Sequence, residues 1–279
     1  MSDSPEEDVT HAALEAVSEA VEIADQEQQE ELALRKRGLR ERLARRAVSR
    51  VHAAEGTRRL GAAIGRSARR GAHVTGQGMA TGGRWLSVQV LTMAPKLPVR
   101  DAATLRKQFP DRAPDEVADL LIEGAARASA AVGVAVGAWA VLPFPPAAGA
   151  EIATETLAVV GIEIKLVAEL HEVYGQRASG SVIDRMTAYV ASWAQRRGVS
   201  LGSGRLMIAA GSPLARQLQR RLAGRAGRSV LALGPLLTGA VAGGLVNRRE
   251  TRKLGHILKE DLRRRTGGKD GAPAAAGLG

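Results

Sequence analysis

Two long runs without a charged residue constrain the fold of this chain more than any other feature. The first covers 23 residues, from Ala128 to Ala150, and the second covers 19, from Ser229 to Asn247. A helix that crosses a bilayer needs roughly 20 apolar residues, so the lengths permit a membrane-inserted hairpin. Both runs are rich in Ala and Gly, which also suits two helices buried in a protein core. The runs alone leave these two alternatives open.

The spacing of glycines predicts that the two runs pack against each other. Each run contains a Gly-x-x-x-Gly motif, formed by Gly133 with Gly137 and by Gly239 with Gly243. Small residues at this spacing allow two helix backbones to approach closely, in lipid or in a soluble core. We therefore expect a central pair of Ala/Gly-rich helices.

Local signals delimit further helices. Asp101 can cap a short helix that ends near Pro110, and Pro114 suits the first turn of a helix that reaches about Leu142. Strand-like alternation is missing, so we predict an all-α, multi-helix bundle with a long N-terminal helical arm and disordered ends. Other helices are expected over about 147–174, 181–197, 205–223 and 234–265.

Charge divides the chain into parts. The net charge is +11, yet residues 1–34 carry eleven acids and no Lys or Arg. We expect an acidic helical arm that is solvated or forms a coiled coil, and a basic segment that faces anionic lipid or the arm itself. The predicted parts are the arm (1–34), a basic helical segment with a Gly-rich linker (35–83), a helical domain (84–265) and a disordered tail (266–279).

The helix expected over 147–174 combines an apolar surface with a charged stripe. We expect this stripe to meet water. Glu163 lies on the apolar side instead, where a carboxylate needs a partner. Glu163 either forms a structural ion pair with an arginine or is a functional carboxylate. The stripe consists of Glu151, Glu155, Lys165, Glu169 and Glu172.

Basic amphipathic segments follow towards the C-terminus. They combine leucine stripes with cations, as in helices that lie on a membrane surface, although solvated packing helices would look the same. Nucleic acid is disfavoured as a partner, because the basic segments lack aromatic stacking residues and a reading motif. The cations singled out are Arg216, Arg220, Arg221, Arg252 and Lys253.

Motifs for catalysis are missing from the sequence. His171 has acids nearby in "ELHEVYG", but the second histidine of a zinc-protease helix is replaced by Gly175. We therefore expect no catalytic residue, no cofactor and no metal, and a protein that is not an enzyme. The acidic start differs from a signal peptide and cysteine is absent, which favours the cytoplasm.

Over about residues 115–262 the chain resembles the EcsC family of bacterial proteins. Three stretches carry the resemblance: "ARASAAVGVAVGAWAVLPFPP", "EIATETLAVVGIEIKLVAELHEVYG" and "GPLLTGAVAGGLVNRRETRKLGHIL". The family takes its name from a protein encoded beside an ABC transporter linked to secretion, and no biochemical activity is established for it. The resemblance therefore implies a link to transport or secretion machinery and supplies no catalytic residues.

These observations predict a non-enzymatic helical protein at the cytoplasmic face of the bacterial inner membrane. It would attach peripherally or through a hairpin, with a protein partner as a further expectation. The alternative is a soluble interaction module whose basic body binds an acidic partner or nucleic acid.

Overall fold

The computed structural model describes residues 5–35, 79–139, 148–202, 205–208 and 236–270. These residues form seven α-helices, a short 3₁₀ helix at Ala94–Lys96 and one two-stranded hairpin, so the all-α prediction is confirmed. The helices are α1 (Pro5–Arg35), α2 (Met79–Met93), α3 (Ala102–Gln108), α4 (Pro114–Trp139), α5 (Ala148–Val173), α6 (Val182–Arg197) and α7 (Leu236–Asp270).

Capping residues place several of the helix ends. The Asp101 carboxylate accepts a hydrogen bond from the Thr104 amide at 2.8 Å and starts α3, as predicted. Ser181 and Asp184 form a reciprocal capping box at the start of α6. Gly175 has a φ of +63° just after α5, a backbone conformation that favours glycine.

The antiparallel pair of α4 and α7 forms the longest helix–helix contact among the described residues. A Cβ built on Gly255 would lie 2.7 Å from a side-chain carbon of Ile122, and one on Gly244 would lie 3.0 Å from the carbonyl oxygen of Ala130. The described parts of the two charge-free runs therefore pack against each other, as the glycine spacing predicts. Gly244 and Gly255 are two points of close approach in this contact.

Helix α5 lies at the centre of the bundle and packs against α1, α4, α6 and α7. Every residue from Thr154 to Leu170 is buried. Branched apolar side chains dominate this stretch, including Ile162, Ile164 and Leu166, and they supply most of the driving force for burial.

The expectation of a solvated or coiled-coil N-terminal arm is wrong. Helix α1 packs on α4 and α5 and contributes Val9, Ala16, Val17 and Ala20 to the core. Its side chains are small, so the backbones approach closely. A Cβ on Gly161 of α5 would lie only 2.8 Å from Val17 Cγ2.

Three further expectations differ from the structure. Residues 79–83, assigned to the Gly-rich linker, begin α2, and residues 266–270, assigned to a disordered tail, continue α7. The helix expected from Arg205 is replaced at its start by a strand, Arg205–Ile208, which pairs antiparallel with Val199–Gly202 and contacts α2. Pairing with the neighbouring strand satisfies the backbone of this segment. Its contact with α2 joins residues far apart in sequence, which a local pattern cannot reveal. Residues 36–78, 209–223 and 271–279 lie outside the described part.

Candidate functional site

The described members of the charged stripe of α5 are buried, which corrects the prediction that the stripe meets water. The side chain of Glu151 lies outside the described part. Glu155, Lys165, Glu169 and Glu172 are each at most 8% exposed. Helix α1 and the segment between α2 and α3 cover this face and bring their own charged groups to it. The burial is tolerated because opposite charges meet there.

Arg100 connects three elements at this buried face. Its Nε and Nη2 donate to the two oxygens of Glu169 on α5 at 2.8 and 2.9 Å. Its Nη1 donates to Asp25 on α1 at 3.1 Å and to Gln108 on α3 at 2.8 Å. Lys165 donates to the same Glu169 carboxylate. One guanidinium therefore joins α1, α3 and α5.

Burial and pairing shift the titration of this network. Burial alone would raise the pKa of Glu169, but Lys165 and Arg100 outweigh it, so the pKa lies below its ordinary value. Burial lowers the pKa of Lys165 and raises that of Asp25. The adjacent cavity of about 20 Å³ has room for roughly one water molecule, which is too little for an organic substrate.

Glu163 is buried and each of its oxygens accepts two hydrogen bonds. Oε2 accepts from Trp193 Nε1 at 2.8 Å and from Arg197 Nε at 3.0 Å. Oε1 accepts from Arg197 Nη2 and from Thr251 Oγ1, the latter at 2.9 Å. Burial alone would lower the pKa of Arg197, yet the neighbouring Glu163 raises it above the ordinary value. Of the two alternatives for Glu163, this geometry matches the structural ion pair.

A chain of polar contacts extends from Glu163 to the α4–α7 interface. Thr251 also contacts Ser129 Oγ at 3.0 Å, and Asn247 donates to the Ser129 carbonyl at 3.2 Å. Ser129, Asn247 and Thr251 are fully buried. These contacts fix the register of α7 against α4 and α5.

His171 does not converge with the glutamates on either side of it. Its Nδ1 donates to the Val167 carbonyl oxygen at 2.7 Å and its ring lies 5.0 Å from that of Tyr189. Glu172 instead accepts from Arg177 and from the backbone amide of Ala102. Within the described ranges, no three His, Asp or Glu residues lie together as a metal site.

One side of α7 is exposed and carries both cations and large apolar side chains. We use the name α7 outer face for five residues of this side: Leu245, Val246, Arg249, Lys253 and Ile257. His256 and Glu260 are also exposed on this side. The three apolar members are 60%, 42% and 50% exposed, in that order. At about 100° per residue, the five fall within an arc of about 120°.

The opposite side of α7 packs into the bundle. Its members are buried and include Asn247, Thr251, Leu254, Leu258 and Leu262. Their midpoint is about 160° around the helix from that of the outer face. Helix α7 therefore has one buried side and one exposed side.

The cations of the outer face lack carboxylate partners within the described part of the chain. Arg249 and Lys253 are exposed, and no described acid forms an ion pair with either. Arg252 differs, because it pairs with Glu123 at 2.5 Å, and Arg263 pairs with Asp115 at 3.4 Å. Two cations without a described carboxylate partner therefore lie beside exposed apolar side chains on this face.

The remaining predicted site residues are distributed as follows. Gly133 is buried in α4. Gly137 lies in α4, and Gly239 and Gly243 lie in α7. The surroundings of these three glycines lie outside the described part of the structure. Arg216, Arg220 and Arg221 lie outside the described residues.

Arg100 was missed by sequence reasoning. Its only local signal is a cation just before the helix-capping residue Asp101, and nothing in that pattern points to α1 or α5. Gly244 and Gly255 were not predicted either, because the Gly-x-x-x-Gly motifs indicate Gly133, Gly137, Gly239 and Gly243 instead.

No helix among the described residues combines the length and hydropathy that a bilayer-crossing helix needs. No protein-family model, no curated protein and no solved structure matches this chain.

Proposed function

We propose that this chain is a non-enzymatic helical protein that attaches peripherally to the cytoplasmic face of a bacterial membrane. The observation that carries the proposal is the α7 outer face, where unpaired cations stand beside exposed apolar side chains. The resemblance to the EcsC family extends the proposal to a link with transport or secretion machinery.

The composition of the outer face fits an anionic lipid surface. A Lys or Arg near such a surface contributes about 1 kcal/mol, and the cytoplasmic leaflet is the anionic one. Arg249 and Lys253 are free to contribute because neither is paired with a described acid. Exposed apolar side chains beside them add burial that electrostatics alone would not supply.

Peripheral attachment is favoured over an inserted hairpin. The described parts of the charge-free runs pack against each other in the bundle, and polar contacts occupy their interface at Ser129, Asn247 and Thr251. Insertion of these helices into lipid would break those contacts. Among the described residues, the α7 outer face remains accessible to lipid.

A non-enzymatic role is favoured by the state of the buried carboxylates. Glu163 and Glu169 are each bound by an arginine, and Glu172 by Arg177. A general base needs an accessible lone pair near its substrate. The lone pairs of these carboxylates instead accept hydrogen bonds from structural partners.

Flotation of the purified full-length chain with vesicles tests the proposal. We expect it to float with vesicles containing phosphatidylglycerol at low salt and to remain at the bottom with pure phosphatidylcholine. Absence from the anionic vesicles would contradict the proposal. Tight binding to duplex DNA together with that absence would favour the alternative, a soluble module that binds a polyanion.

A further inference from the structure

We infer that the α7 outer face inserts Leu245, Val246 and Ile257 among the acyl chains of an anionic bilayer while Arg249 and Lys253 contact the lipid phosphates. The inference rests on the proposed function. It specifies the surface that binds, the lipid that is bound and the depth that the side chains reach in the bilayer. In this arrangement α7 lies flat on the membrane.

The order of residues along α7 fits this arrangement. Leu245 and Ile257 are twelve residues apart, which is about 18 Å along a helix, and the two unpaired cations lie between them. Around the helix, the apolar side chains occupy both edges of the arc and the cations its middle, where Glu260 also lies one turn beyond Ile257. Long cationic side chains can reach up to headgroups while neighbouring apolar groups go deeper.

The outer face is held in position before any ligand binds. On the opposite side, Asn247 donates to the Ser129 carbonyl, Thr251 donates to Glu163, and Leu254 and Leu258 are buried. Binding therefore does not have to order the helix, so little conformational entropy is lost.

Lipid explains the outer face better than a nucleic acid does. Phosphates of a nucleic acid would engage the cations, but Leu245, Val246 and Ile257 would stay in water or contact only polar groups. A bilayer interface accommodates both classes of side chain at once. A bilayer therefore satisfies both the charge and the hydropathy of the outer face, whereas a nucleic acid satisfies only the charge.

The C-terminal part of α7 should act differently. Arg263 and Arg264 are exposed there, but no large apolar side chain of the described α7 residues is exposed beyond Ile257. This part can attract an anionic surface without entering it. Binding to vesicles should therefore have an electrostatic component, which salt weakens, and a hydrophobic component from the inserted side chains, which salt leaves intact.

A matched pair of serine variants tests the insertion. Ile257→Ser changes the outer face, whereas Ile183→Ser makes the same substitution at the start of α6, where Ile183 is 65% exposed. We expect Ile257→Ser to lower partitioning onto phosphatidylglycerol vesicles at high salt about tenfold, equivalent to about 1.4 kcal/mol. Ile183→Ser should leave it unchanged. Equal partitioning of the two variants would overturn the inference.

A depth probe gives an independent readout. The chain contains no cysteine, so Ile257→Cys offers one site for an environment-sensitive fluorophore, and Lys107→Cys on α3 offers the control. We expect a blue shift and quenching by spin-labelled acyl chains only at position 257. If the wild type floats with anionic vesicles but the probe at 257 stays aqueous, the inference fails while the proposed function stands. If the wild type does not float, both fail.

Discussion

Glu163 on α5 and Arg197 at the end of α6 form an ion pair in which both side chains are almost completely buried, at 3% and 6% exposed. Arg197 also reaches Glu250 on α7 at 3.2 Å, so the pair connects three helices. Trp193 and Thr251 complete the hydrogen bonds of the carboxylate. The buried carboxylate and guanidinium are therefore both paired inside the bundle.

Removing one partner of this pair should destabilise the protein strongly. Glu163→Gln leaves the charge of Arg197 buried with Glu250 as its remaining ion-pair partner. We therefore expect a loss of about 3 kcal/mol in the free energy of unfolding. Urea denaturation followed by circular dichroism measures the loss. The double variant Glu163→Gln with Arg197→Met should recover part of it, and an unchanged midpoint for the single variant would refute the assignment.

Arg100 should control the docking of α1. Arg100→Gln removes the contacts to Asp25 and Glu169, so we expect the protein to lose about 3 kcal/mol of stability. Hydrogen exchange should accelerate in the α1 amides, because their helix loses an ion pair to the rest of the bundle. Arg106→Gln, an exposed cation on α3, is the control and should change neither quantity. Protection of α1 that survives Arg100→Gln would count against this role.

Acid should weaken the contribution of Glu169. Its folded pKa lies below the ordinary 4.5, despite burial, because Lys165 and Arg100 favour the carboxylate. The unfolded state then binds more protons in acid, so the stabilisation is complete above pH 4.5 and is lost as the pH falls through the folded pKa. The stability difference between wild type and Glu169→Gln should therefore shrink below pH 4.5. Urea titrations at pH 7 and in acid measure it, and a constant difference would be inconsistent with this pairing.

The α4–α7 contact should not tolerate a methyl group at Gly255. Alanine normally favours a helix over glycine by about 1 kcal/mol. Here its Cβ would lie 2.7 Å from Ile122, so Gly255→Ala should instead cost about 1–3 kcal/mol. Gly124→Ala is the contrast, because its nearest atom is the flexible end of Gln28 at 3.2 Å. Thermal unfolding compares the two, and a gain in stability at position 255 would show that the helices are farther apart.

Local chemistry predicts the helix boundaries well. Asp101 caps α3 and Pro114 begins α4 as expected, because capping and the missing proline N–H act within a single turn. The pairing of the small-residue helices was also predictable, since glycines at fixed spacing permit close backbone approach. These properties depend on neighbours in sequence.

Long-range pairing was not predictable in the same way. A helical wheel shows that Lys165 and Glu169 share a face, but it cannot tell whether water or Arg100 meets them. The role of α1 was misjudged because alanines give a weak apolar signal, although Ala16 and Ala20 are fully buried. The candidate site on α7 was predicted only in part. The sequence indicates Lys253 as a surface cation, but it does not show that Leu245 and Ile257 are exposed, because their exposure depends on how the opposite side of α7 packs.

Attachment through α7 is tested most directly by removing the two cations of its outer face. Arg249→Gln with Lys253→Gln is compared with Arg106→Gln with Lys107→Gln on α3, which changes the net charge equally. At about 1 kcal/mol per cation, the α7 pair should lower partitioning onto phosphatidylglycerol vesicles at low salt about 30-fold. The α3 pair should lower it little. Equal losses for the two double variants would show that net charge, and not the α7 outer face, determines binding, and would contradict the account.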